Sequence, residues 1–360
     1  MHDNAINVTT TPRTDRLCGL LLGMAVGDAL GLPREGLSPR RAARMCRGAL
    51  RHRLVFGRGM ISDDTEHACM TAQALLRAPD DPDAFARSLA WRLRGWLLAV
   101  PAGVGLATLR AIVRLWLGFP PHRSGVFSAG NGPAMRAPIL GAVLGEHPEK
   151  LRQFLRASTR LTHTDPKAER GAMLIALAAH HAVKSAAGDT DGDAFLDRAD
   201  VEATNDAELA SLLAALREHL HRGATPAEFA TSLGLQRGVS GYMYHTVPIA
   251  LFCWLRWPGD FERAVTDAIL LGGDADTVGA IVGGLAGAGV GANGIPPLWL
   301  AGLLEAPRSA AWIRRVGEAL GDDQREPRPV TLAWPLIPVR NLAFIVIVLL
   351  HGVRRLLPPY

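Results

Sequence analysis

Aromatic residues make up only 6% of this 360-residue chain, with three tyrosines in all. Runs of β-branched residues are equally thin, while Ala, Leu and Gly abound. That balance disfavours sheet and favours helix. Cysteine is sparse too. Cys18, Cys46, Cys69 and Cys253 lie far apart, with no CxxC pair and no Cys/His zinc spacing. They read as reduced thiols, and the expected localisation is cytoplasmic. Met1 to Arg16 has no apolar segment, so no secretory signal is expected. No fixed-period repeat is visible, which excludes a solenoid. The basic residues lack interleaved aromatics and any helix-turn-helix or RNA-binding signature, so dedicated nucleic-acid binding is not expected.

What is present suits a globular protein with a large core: 48% apolar and 20% charged residues. The formal net charge is +5. Arginines gather at Arg34, Arg40, Arg41, Arg44, Arg47, Arg51, Arg53 and Arg58. They are either a solvated face or an attraction for a phosphate-bearing substrate.

Helical spacing recurs along the chain and predicts an all-α, compact, single-domain fold of roughly a dozen helices. A polar arm is expected over residues 1–14, the main domain over 15–328 and an apolar tail over 329–360. The first helix is expected from Thr14 to Leu30. Its Gly19, Gly23 and Gly27 lie four apart and open one face to close helix contact. Gly31 and Pro33 stop it, leaving Asp28 near its end and Glu35 just beyond. A glycine-bearing loop, Pro120 to Gly132, should bring backbone near something, with a helix starting at Gly132-Pro133 and running through Leu144. Ser185 to Asp193 is the most linker-like stretch. The tail holds a nine-residue apolar run from Leu342 to Leu350, bounded by Arg340 and by His351, Arg354 and Arg355. It is too short to span a bilayer. It is expected to dock on the domain or on a second subunit, with interfacial membrane contact as the weaker alternative.

Two acidic clusters stand out: Ser62-Asp63-Asp64-Thr65 and Gly272-Gly273-Asp274-Ala275-Asp276-Thr277. Each sits at the entrance of an apolar helix. Each reads either as a helix cap or as a set of hard oxygen ligands. If the loops meet beside Glu35, five carboxylates share one pocket, and a cation such as Mg²⁺, Mn²⁺ or Ca²⁺ would have to compensate them.

These residues, with Gly27-Asp28-Ala29-Leu30-Gly31, Gly130-Asn131-Gly132-Pro133-Ala134-Met135-Arg136, Thr162-His163 and Ser240-Gly241-Tyr242, follow one another as in a known family. The chain resembles the ADP-ribosylglycohydrolases from about Leu17 to Pro296. The resemblance implies an all-helical orthogonal bundle with two Mg²⁺ ions, or Mn²⁺ in their place. It implies Ser62, Asp63, Asp64, Asp274, Asp276 and Thr277 as metal ligands. Glu35, Asp63 and Asp64 become the candidate catalytic groups. Gly130, Asn131, Gly132, Met135, His163 and Tyr242 become the substrate-binding set, with Tyr242 placed to stack on adenine. The implied substrate is ADP-ribose or an ADP-ribosylated protein, cleaved from an arginine or serine side chain. One position departs. Several relatives carry an aspartate where Pro101-Ala102-Gly103-Val104-Gly105 has Gly103. An ADP-ribose-binding protein with little turnover, or an immunity protein against an ADP-ribosylating toxin, is the alternative. Oligomeric state is not legible.

Overall fold

The computed structural model describes residues 12–185, 190–322, 324 and 326–356. Its helices follow in chain order: α1 (Pro12–Gly31), α2 (Pro39–Met45), α3 (Asp63–Arg77), α4 (Pro82–Leu98), α5 (Leu106–Trp116), α6 (Pro121–Ser124), α7 (Ala137–Leu144), α8 (Pro148–Arg160) and α9 (Pro166–Lys184). The second half holds α10 (Gly192–Glu202), α11 (Ala207–His221), α12 (Pro226–Ser232), α13 (Met243–Arg256), α14 (Phe261–Leu270), α15 (Ala275–Val290), α16 (Pro297–Ala301), α17 (Ala310–Gly321) and α18 (Leu336–Arg354). Among the described residues the only β pairings are isolated bridges between loops. The fold is all-α.

α1 and α15 make the most extensive helix contact among the described residues. Both are apolar nearly all round, so both are buried. They run antiparallel. A Cβ on Gly19, Gly23 or Gly27 would collide with the carbonyl oxygen of Gly287, Gly283 or Gly279, respectively. Gly31 meets Ala275 in the same way. The four-residue spacing in α1 is thus matched by the same spacing in α15. Backbones touch with no side chain between them. The consequence for function is positional: the end of α1 lies on the start of α15.

Several boundaries differ from expectation. α1 already begins at Pro12, within the stretch read as a polar arm; residues 1–11 of that arm lie outside the described residues, as do 186–189 of the linker-like stretch. Gly132 to Arg136 forms turns, not helix, and α7 starts at Ala137 with Pro138 in its first turn. The tail is the larger correction. α18 is 19 residues with mean hydropathy 2.0, long and apolar enough to cross a membrane by length and composition. The nine-residue limit failed because Arg340 does not end the helix. It is buried and ion-paired with Glu305. α1, extended to Arg34, passes the same measure but is 94% buried, as a core helix is.

Candidate active site

The site is assembled from loops at helix ends. Gly272 and Gly273 are left-handed, with φ of 67° and 74°. A Cβ there would strike the carbonyl oxygens of Leu37 and Val239. Gly36 N–H donates to Gly273 O at 2.7 Å, and Gly273 N–H to Leu37 O at 2.8 Å. Asp274 N–H donates to Val239 O at 2.8 Å. Three chain segments are stitched at this glycine pair: the Glu35 loop, the loop before Tyr242, and the entrance of α15.

The second half of the site is tied in by Asp28. This carboxylate is fully buried near the end of α1. It accepts Ser62 N–H at 2.9 Å, Thr65 N–H at 3.2 Å and the Thr65 hydroxyl at 2.5 Å. It holds the first turn of α3 as an N-terminal carboxylate does. Burial nevertheless raises its pKa to about 7. Sequence reading quoted Asp28 in a motif without giving it a role; a lone acid inside an apolar glycine-striped helix was the available signal.

The two acidic clusters do meet. The Thr277 hydroxyl donates to Asp64 Oδ2 at 3.1 Å, and the Ser62 hydroxyl reaches the same oxygen at 3.2 Å. Asp64 and Asp276 are buried, Asp63 and Asp274 half-buried, and Glu35 faces solvent. Desolvation, then mutual repulsion, pushes Asp63, Asp64 and Asp276 well above the ordinary carboxylate range. Glu35, though its residue surface is exposed, is raised by desolvation of its carboxyl and then by Asp274, against the pull of Arg355. None of these carboxylates, nor Asp28, pairs with a Lys, Arg or His side chain among the described residues. Asp64 Oδ1 and Asp276 Oδ1 are buried with no hydrogen-bond partner. Among the described residues no three His, Cys, Asp or Glu side chains already converge as a coordination shell. The donor set instead mixes carboxylates with the hydroxyls of Ser62 and Thr277. Its hard oxygens and two orphaned buried ones fit a divalent cation such as Mg²⁺.

The glycine loop closes a third side. Asn131 N–H donates to Gly241 O at 2.9 Å, and Met243 N–H to Ala129 O at 2.8 Å. The Asn131 amide donates to Asp274 Oδ2 at 2.5 Å and to Thr246 Oγ1 at 2.9 Å. Asn131 therefore joins loop and carboxylates. His163 is buried under the loop, 3.0 Å from where a Cβ on Gly130 or Gly132 would sit. That explains the glycines: the ring lies against their backbone. Burial and Arg136 lower its pKa to about 3, so it is neutral. Met135 is buried too. Tyr242 is half-buried, its hydroxyl donating to Glu208 Oε1 at 2.9 Å and accepting from Lys167 Nζ at 2.8 Å. The structure thus joins the loops that carry Glu35, Ser62, Asp63, Asp64, Gly130, Asn131, Asp274, Asp276, Thr277 and Tyr242. His163 and Met135 stand behind them.

Sequence reading missed the network behind α3. Glu66 accepts from Trp96 Nε1 and Arg308 Nη1, each at 2.5 Å. Glu305 pairs with Arg340 and accepts Ile61 N–H at 2.9 Å. No spacing links residues 66, 305, 308 and 340, so no motif could have announced them.

Loops at helix ends thus concentrate carboxylates without ion-pair partners among the described residues on an all-helical scaffold. The comparisons with known proteins give the class. The sequence profile described as ADP-ribosylglycohydrolase matches residues 9–329. The ADP-ribosyl-[dinitrogen reductase] glycohydrolase of Rhodospirillum rubrum is 30% identical over 305 residues, 80% of this chain and 90% of that one. The ADP-ribosylhydrolase ARH3 of Homo sapiens is 32% identical over 211 residues, 50% of this chain and 56% of that one. A solved structure titled ADP-ribosylglycohydrolase-related protein complex superposes with a TM-score of 0.64 at 31% identity, covering 86% of this chain and 98% of that one. The chain belongs to the ADP-ribosylglycohydrolase family. It is a hydrolase of glycosyl bonds that removes ADP-ribose.

Proposed function

We propose that the enzyme releases ADP-ribose from an arginine or serine side chain with the help of divalent cations. The observation that carries this reading is the uncompensated acidic cluster, with buried, unpartnered oxygens on Asp64 and Asp276. Ser62, Asp63, Asp64, Asp274, Asp276 and Thr277 would hold two Mg²⁺ ions. What Mg²⁺ supplies at such a site is a lowered pKa for a coordinated water and charge compensation. The residues do the rest. Glu35, exposed at the rim with its pKa raised above the ordinary carboxylate range, is the candidate proton acceptor. Asp63 or Asp64 is the alternative acceptor. Water attacks the anomeric carbon, the bond from that carbon to nitrogen or oxygen breaks, and the proton leaves with the acceptor side chain. The glycines at 130 and 132 let backbone approach the ribose or phosphates. Tyr242, its hydroxyl fixed by Lys167 and Glu208, offers a ring face for adenine. Arginine- and serine-linked ADP-ribosyl peptides, assayed with and without Mg²⁺, test this. No release from either linkage with Mg²⁺ bound would overturn it.

One observation favours a second reading, ADP-ribose binding with little turnover. By the family resemblance Gly103 takes the place of an acid. It is exposed at φ 76°, with open space where a side chain would go. Calorimetry with ADP-ribose beside the turnover assay separates the two readings.

A further inference from the structure

α18 lies beyond the family match, which ends at residue 329. Its two faces are unlike. The inner face packs Ile337, Arg340, Asn341 and Phe344 into the body. The outer face carries Leu336, Val339, Leu342, Val346, Leu349 and Val353, each 50–65% exposed. No charge interrupts that stripe. Together with Leu350 and Leu356 it presents on the order of 800 Å² of apolar side chain, what one partner brings to a standard interface.

The surroundings carry one sign of charge. No acidic residue occurs from Pro327 to Tyr360, and none from Gly36 to Ser62, a stretch that holds seven arginines. The two segments meet at a cleft of about 1220 Å³. Arg44, Arg47, Arg51 and Arg53 line one wall; Leu350 and Arg354 line the other. Phe56 stands at the cleft fully exposed. The tight turn Val55–Arg58 holds it there, with Phe56 itself left-handed at φ 47°.

We propose that this face docks on an anionic bilayer surface, α18 lying in the interfacial plane. An apolar helix face, a protruding phenylalanine and an arginine cluster supply the two signals stable peripheral binding needs: buried apolar area and attraction to acidic headgroups. Charge complementarity selects the lipid over a second copy. Parallel pairing of two such helices would set the arginine clusters side by side. Spanning is excluded by the inner face, because pulling α18 from the body would strand buried Glu305 without Arg340. α18 also holds the site's rim: Arg355 Nη1 donates to Glu35 O at 2.8 Å, and Arg340 Nη2 to Ile61 O at 2.5 Å. Docking therefore fixes the active-site loops at a set height above the lipid.

The test is co-sedimentation of the full chain with phosphatidylcholine vesicles, with and without phosphatidylglycerol. Binding is expected to the anionic vesicles and to weaken with salt. Leu342→Glu/Val346→Glu, which touches only exposed side chains, should lower partitioning by at least about tenfold with helicity unchanged. Arg47→Ala/Arg51→Ala should lower it by about tenfold on anionic vesicles alone. Absence of binding, or binding that neither variant weakens, overturns the proposal. So does a lipid-free dimer by light scattering that Leu342→Glu/Val346→Glu dissociates, which would assign the face to a second copy.

Discussion

Two groups of buried acids flank the first turn of α3, and they are solved in opposite ways. Behind it, Glu66 and Glu305 are met by Arg308, Arg340 and Trp96. In front, Asp63, Asp64, Asp274 and Asp276 have hydroxyls and one amide for company, and among the described residues none is ion-paired with a cationic side chain. The rear group is complete within the chain. On the proposed reading a cation would complete the front group and offset the cost of its desolvated carboxylates. Charge compensation from within marks architecture here, and on the proposed reading its absence among the described residues marks the working surface.

The sharpest way to break that contrast is Asp276→Ala. Release of ADP-ribose in Mg²⁺ should fall by roughly a thousandfold, with near-wild-type circular dichroism. Retained turnover would remove the front group from the chemistry. Arg308→Met should do the reverse. It leaves Glu66 buried without its nearer cationic partner and should cost about 3–5 kcal/mol in urea unfolding, with turnover per folded molecule nearly intact. A smaller effect is expected from Mg²⁺ itself. At a hundredfold excess over its Kd it should stabilise the wild type by about 2.7 kcal/mol. Asp276→Ala should lose that gain and Arg308→Met should keep it. A further effect concerns pH in chelator. Asp28 has its folded pKa raised from 3.8 to about 7. Between those values the folded state holds a proton the unfolded state has released, so stability falls as pH rises from 4 towards 7. Thermal melts across that window should show the decline in chelator, and Mg²⁺ should flatten it.

Much of this was legible beforehand because it is local. Asp63-Asp64 and Asp274-Asp276 announce themselves by crowding within a few residues, and helical spacing exposes α1. The partner of α1's glycine face was legible in principle, since Gly279, Gly283 and Gly287 repeat its spacing. What escaped was long-range or disguised. The rear network draws residues some 240 positions apart into contact with no periodicity to betray it. Arg340 read as the end of an apolar run, because a charged residue buried by a distant glutamate looks in sequence like one facing water. His163 sat in a recognisable loop, yet only its burial beneath Gly130 and Gly132 shows that it supports the loop from behind.

The backbone contact between α1 and α15 also sets a schedule. The ribosome makes α1 first, and its tight-fitting partner only after more than two hundred further residues. At ordinary rates of synthesis that is roughly ten to fifty seconds during which an apolar helix lacks its most extensive native contact. Through that interval the nascent chain offers α1 to any chaperone or insertion machinery within reach. The same glycines that later seat α15 leave that face of the helix, until then, open to other partners.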